Sequence, residues 1–95
     1  MAAYLIVNVE VLDPVRYPEY IKAVPASLAQ YGGKFIVRGG KAEALEGTYQ
    51  PKRVVVIEFE NAARARQWWS SPEYAEAKAL RQSIARTDLL IVEGV

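Results

Sequence analysis

Along the chain, apolar and polar positions alternate with two different periods, and the changes from one to the other mark out the elements. From Tyr4 to Val11 the sequence YLIVNVEV places Leu5, Val7, Val9 and Val11 on one side, while Asn8 and Glu10 interrupt the other. Together with its β-branched content this predicts a strand. Asp13-Pro14 then supplies a helix-start signal, and Tyr17, Tyr20, Ile21, Val24, Leu28 and Tyr31 recur at three- and four-residue spacing until Gly32-Gly33 ends the pattern. Pro25 falls inside that helix and cannot donate to the carbonyl of Ile21, which predicts a kink or a break into two pieces. Lys34 to Arg38 reads as a second strand, followed by a bend at Gly39-Gly40, beyond which Ala42 to Glu46 is expected to continue or pair alongside. Gly47 to Pro51 is a turn, and Arg53 to Phe59, RVVVIEF, is the most continuously apolar strand. Asn61 caps a short helix over AARARQWW. Ser70-Ser71-Pro72 restarts the chain as a helical segment to about Arg86, and Leu89 to Glu93 is the last strand.

The order β-α-β-β-α-β over residues 1–95 predicts a single α+β domain of the ferredoxin-like kind, with helices on one face of a four-stranded antiparallel sheet. In RVVVIEF both alternating sets are largely apolar, and YLIVNVEV behaves similarly, whereas a sheet with one wet face alternates more cleanly. The face left bare by the helices therefore needs a cover. A second copy of the chain, packed sheet to sheet as a barrel-like homodimer, is the economical one.

Several segments, VPASLAQYGGKFIVRGG, LEGTYQPKRVVVIEF, WWSSPEYAEAKALR and the terminal LLIVEGV, together resemble a bacterial domain-of-unknown-function family of about this length. That family lies in the dimeric α+β barrel superfamily. The resemblance implies a ferredoxin-like protomer and a face-to-face dimer, and places Trp69 where an aromatic precedes the capped turn. Wider relatives include cofactor-independent monooxygenases, lactone isomerases and haem enzymes, so fold alone selects no chemistry. The haem branch uses a histidine ligand, and this chain has no histidine.

Composition narrows the chemistry further. Twelve basic against eleven acidic side chains leave a net charge of +1, which argues against steering toward nucleic acid or an anionic membrane. The absence of cysteine and histidine excludes disulfides, thiolate or imidazole metal sites and histidine-activated serines. No loop clusters the carboxylates a calcium or magnesium site needs, and no cofactor is expected. The N-terminus lacks a basic n-region, and no apolar run approaches the ~20 residues that span a bilayer. A cytoplasmic protein is expected. The single Arg38-Gly39-Gly40 lacks the repetition of RNA-binding tracts and the spacing of a P-loop.

Candidate site residues come from spacing. Adjacent helical positions differ by about 100°, so Trp68 and Trp69 diverge: one packs inward, the other covers a loop, a pocket or the dimer seam. Tyr74, Ala77, Arg81 and Ile84 share one helical stripe, which either buries Arg81 or lets it snorkel to solvent over the core. Arg38 has Glu46 or Glu58 as its expected ion-pair partner. If Arg38, Arg53 and Arg81 converge with Tyr74, they frame a cationic, aromatic-edged pocket for a small organic anion. Trp69 is expected at its wall, and Ser71, foremost a helix cap, as a further donor. An enzymatic alternative is cofactor-independent proton transfer or oxygenation of an enol or phenol, with Glu46 or Glu58 as base and an arginine stabilising the oxyanion. A third is an accessory protein whose interface is its own dimer.

Overall fold

The computed structural model describes residues 1–95 as β1 (Ala3–Val11), α1 (Tyr17–Gln30), β2 (Lys34–Gly40), β3 (Arg53–Phe59), α2 (Ala62–Trp69), α3 (Pro72–Ile84) and β4 (Ala85–Glu93). The four strands form one sheet in the order β2-β3-β1-β4, with every neighbouring pair antiparallel. This is the expected ferredoxin-like arrangement. No helix is long and apolar enough to cross a membrane.

Register fixes which residues share a face. On the helix-covered side one row runs Phe35, Ile57, Leu5, Ile91, the next Arg38, Val55, Val7, Leu89, and a third Arg53, Val9, Thr87. Leu5, Phe59, Trp68 and Tyr74 are the largest side chains fully removed from water. On the opposite side Val37, Val56, Ile6 and Leu90 make an apolar row across all four strands. Leu90 remains 51% exposed and Ile36 49%. The bare apolar face anticipated from the mixed alternation of β1 and β3 is thus present.

Four local expectations are corrected. The first helix begins at Tyr17, because Asp13 forms a preceding turn in which its Oδ1 accepts from the N–H groups of Val15 and Arg16. It runs unbroken past Pro25. The carbonyl of Ile21, which Pro25 cannot serve, accepts instead from Arg38 Nη2 at 2.9 Å. Ala42 to Glu46 neither continues nor pairs with a strand. The chain from Lys41 to Gln50 is exposed and irregular, so β2 ends at Gly40 after two register shifts. The last strand starts at Ala85 rather than Leu89, directly from α3, because pairing with β1 continues to Val11↔Ala85.

Helix ends follow side-chain chemistry. Asn61 Oδ1 accepts from the Arg64 N–H at 2.9 Å to start α2, and Ser71 Oγ accepts from the Tyr74 N–H at 3.2 Å to start α3. Between α1 and β2, Gly33 lets the chain turn tightly: a Cβ there would lie 2.6 Å from Leu28 Cγ and 2.9 Å from Phe59 Cε1.

Phe59 is 1% exposed and packs its ring 5.9 Å from Trp68. Phe59→Ala is expected to cost about 3–5 kcal/mol. Against a total of roughly 5–15 kcal/mol for a domain, urea denaturation should show a sharply lowered midpoint.

Candidate functional site

Under the helices the inner face is not fully packed. A cavity of about 40 Å³ lies between the Arg38 and Arg53 rows of the sheet and the overlying helices. Helix α1 contributes Tyr17, Tyr20, Ile21 and Val24, α2 contributes Trp68, and α3 contributes Tyr74 and Arg81. By the measure in which one water occupies about 10–15 Å³, this is room for only a few heavy atoms.

Its inner end is built by α3. The stripe Tyr74, Ala77, Arg81, Ile84 faces the sheet and is buried throughout, with Arg81 only 5% exposed. Arg81 Nε donates to Tyr74 Oη at 3.3 Å, and Tyr74 Oη lies 2.7 Å from Tyr20 Oη. The Tyr74 ring stacks on Trp68 at 3.9 Å between centroids, and Trp68 Nε1 donates to Ser27 Oγ at 3.1 Å. Both aromatics are thereby fixed, and with them the hydroxyl that meets Arg81.

The outer end holds the other two arginines. Arg53 lies over the Tyr17 ring at 5.5 Å, and its buried Nε has no hydrogen-bond partner. Its guanidinium rests against the backbone of Gly39. Any Cβ at that position would collide with Arg53 Nη1, and Gly39 also adopts φ +71°, where other residues are strained. Gly39 therefore does more than bend β2; it makes the bed for Arg53. Arg38, exposed at the mouth, lies over Phe35 at 4.2 Å while donating to Ile21.

No carboxylate lines the cavity. The two ion pairs of the fold, Arg16 with Glu19 and Arg86 with Glu10, are at the surface. Burial, and then Tyr74, pushes the Tyr20 hydroxyl far above the ordinary tyrosine value of 10.0. Burial raises Tyr17 as well, partly offset by the Arg53 charge. Burial works against ionised Arg81, but Tyr74 and Tyr20 more than compensate, and its pKa stands above the ordinary arginine value. Near neutrality both tyrosines are protonated, so the polar wall consists of arginine N–H and tyrosine O–H groups.

Of the residues singled out from sequence, Arg38, Arg53, Tyr74 and Arg81 come together at the cavity and Trp69, Ser71, Glu46 and Glu58 do not. Trp69 is 40% exposed, with Lys78 Nζ 3.9 Å above its ring; Trp68 is the inward one, at 1%. Ser71 is buried, but its Oγ is spent on the α3 cap and on donating to Trp68 O. Glu46 is exposed in the β2–β3 connection. Glu58 sits on the bare face, where Tyr4 Oη donates to it at 3.3 Å. The expected ion pair of Arg38 with either glutamate is replaced by the Ile21 carbonyl. Tyr17, Tyr20 and Trp68 are additional lining residues. Their helical spacing marked the two tyrosines as core, and only the gap beneath the helices makes them part of a site.

The family model described as Domain of unknown function (DUF1330) matches residues 2–95. No match was found among curated proteins. Among solved structures, a protein of unknown function from Rhodopseudomonas palustris is similar at TM-score 0.79 and 19% identity, over 99% of this chain and 82% of that one. SnoaB, a cofactor-independent oxygenase from Streptomyces nogalater, is similar at TM-score 0.68 and 11% identity, over 99% and 93%. A dimeric ferredoxin-like protein of unknown function from Jannaschia sp. is similar at TM-score 0.69 and 15% identity, over 99% and 100%. These likenesses establish the fold.

The raised Tyr20 hydroxyl makes stability fall at high pH. The unfolded chain loses that proton near pH 10.0 while the folded chain keeps it, so the contribution is complete below pH 10 and declines above it. The expected slope from Tyr20 is about 1.4 kcal/mol per pH unit. Urea midpoints between pH 9 and 11.5 should fall more steeply for the wild type than for Tyr20→Phe.

Proposed function

For this chain, which belongs to the DUF1330 family, we propose a homodimeric protein that binds a small organic anion in the cavity between the helices and the sheet of each protomer. The observation that carries the reading is Arg81. It is a buried cation whose one side-chain hydrogen-bond partner is a tyrosine hydroxyl, next to a second arginine with an unpartnered buried nitrogen. Uncompensated buried charge is unfavourable by several kcal/mol, and a carboxylate or enolate oxygen in the cavity supplies the missing acceptor. The polar groups lining the cavity are arginines and tyrosine hydroxyls, with no carboxylate among them, so the complementary ligand is an anion with a head of a few heavy atoms.

The same donors favour an enolate or phenolate oxyanion, the species an oxygenase or isomerase would have to stabilise. Generating that species requires a base, and neither Glu46 nor Glu58 lines the cavity. Anion binding is therefore the reading the geometry supports best.

The homodimer rests on the outer face. The row Val37, Val56, Ile6, Leu90 spans the sheet without a cover, and the Jannaschia protein of the same fold is described as dimeric. Burying such a row against its own symmetry copy removes apolar area from water at about 25 cal/mol per Å².

Titration of the wild type with acetate, pyruvate and their uncharged amides, followed through the Trp68 indole N–H resonance, should give saturable shifts for the anions alone. Arg81→Met is expected to weaken binding about tenfold or more, as for loss of a charge-assisted hydrogen bond. Unchanged affinity in a folded Arg81→Met protein would refute the reading and leave the accessory-protein alternative.

Light scattering should return about twice the 10.6 kDa chain mass. Leu90→Glu should lower it toward one chain while the helical circular dichroism signal persists.

A further inference from the structure

The second unpartnered buried atom of the fold is Thr87 Oγ1. Arg53 and Thr87 occupy the same row of the inner face, on either side of Val9. At the usual strand spacing of about 4.8 Å they stand roughly 10 Å apart. Arg81 lines the voids on both sides of that row: the enclosed cavity toward Arg53, and an open groove of about 670 Å³ between α2–α3 and β4 toward Thr87. The groove is a separate feature, with its own chemistry.

Its floor is apolar, formed by Leu5, Leu89 and Ile91, and its rim carries Trp69, Gln82 and Arg66. The Arg66 side chain has no acceptor, and no carboxylate lines the groove; Arg86 at its edge is paired with Glu10. An arginine buried to 95% forms part of the inner wall, and Thr87, whose hydroxyl has no partner, lines the same groove. An anion is therefore the complementary charge. The volume lies within the roughly 300–1,000 Å³ of small-molecule sites, whereas the enclosed cavity is too small for a ring. A partly exposed tryptophan and a leucine-isoleucine floor suit a flat apolar body.

We propose that the α3–β4 groove is a second binding site, for an aromatic carboxylate, whose carboxylate meets Arg81 and Thr87 and whose ring lies on Leu89 and Ile91 beside Trp69. Thr87 Oγ donates to the carboxylate, and Arg66 closes over the ring from α2. The inference shares Arg81 with the cavity but does not rest on the cavity being occupied. It also explains why α2 places its second tryptophan outward, toward this groove, instead of in the core.

The two indole N–H resonances separate the sites, because Trp68 belongs to the cavity and Trp69 to the groove. Titration of the ¹⁵N-labelled full chain with 2-naphthoate should shift the Trp69 signal saturably and leave the Trp68 signal in place. The uncharged 2-naphthalenemethanol should bind at least about tenfold more weakly. Thr87→Val, which exchanges an unpartnered hydroxyl for a methyl group, should leave the urea midpoint equal or higher yet weaken naphthoate about tenfold. Arg53→Met, a cavity change, should leave naphthoate binding unaltered while weakening acetate. Movement of Trp68 alone, equal binding of the alcohol, or wild-type affinity in Thr87→Val would each overturn the groove assignment. Failure of the wild type to bind acetate, with naphthoate binding intact, would overturn only the cavity reading.

Discussion

The arrangement turns on a positive charge enclosed without a negative one. Arg81 sits on the buried stripe of α3, and the nearest side-chain acceptor it finds is the oxygen of Tyr74. That oxygen is held by its own constraints: the Tyr74 ring lies on Trp68, Trp68 is tied to Ser27, and the hydroxyl is shared with Tyr20. A guanidinium keeps its charge at any physiological pH, so it cannot relieve its burial by losing a proton as a lysine would. The fold tolerates the penalty through hydroxyl dipoles and gives the terminal guanidinium nitrogens no protein partner. A core assembled for stability alone would have an aliphatic residue at position 81, since apolar replacements of buried charges are often neutral or stabilising.

Two backbone irregularities place the other arginines. Pro25 withdraws the N–H that would serve the Ile21 carbonyl, and Arg38 reaches from β2 to take that carbonyl, tying the edge strand to α1 at the mouth of the cavity. One residue later, Gly39 adopts a left-handed conformation and presents bare backbone to Arg53. Two features that would weaken ordinary elements, a proline within a helix and a left-handed glycine within a strand, thus act together on one opening. Arg38 is consequently a fastening for the mouth as much as a charge beside it, and Arg53 is the outer arginine with free capacity.

The fold was legible in sequence because it rests on local periods: the stripe of α3, the caps at Asn61 and Ser71, and the doubly apolar β3. The divergence of Trp68 and Trp69 was legible too, from the 100° step of a helix, but not its sense. That is decided by where α2 lies over Phe59 and by Ser27 waiting on α1 for the indole N–H. Glu58 was misplaced because β3 is apolar on both sides, and parity alone cannot say which set faces the helices. The answer comes from pairing with β1, where Tyr4 and Glu58 lie opposite one another. The partner of Arg38 could not be read from local pattern, since it depends on a carbonyl seventeen residues away becoming vacant. Tyr17 and Tyr20 looked like core for a sound reason, and are core except at their hydroxyl ends. In each case the illegible part is a contact between elements distant in the chain.

Both faces of the sheet contribute to one small stability margin. A 95-residue domain has little surplus stability, and this one spends part of it on an enclosed arginine, unpartnered buried atoms at Arg53 and Thr87, and a gap under its helices. Those losses fall on the side where ordinary packing would have supplied the gain. The row Val37, Val56, Ile6, Leu90 keeps a comparable reserve of apolar surface on the opposite side, where a second protomer can bury it without touching the cavity. In the proposed dimer, self-association supplies stability on one face so that the other can remain incomplete. Filling the polar gap with aliphatic side chains would add to the protomer's own stability and lessen its dependence on the oily outer row.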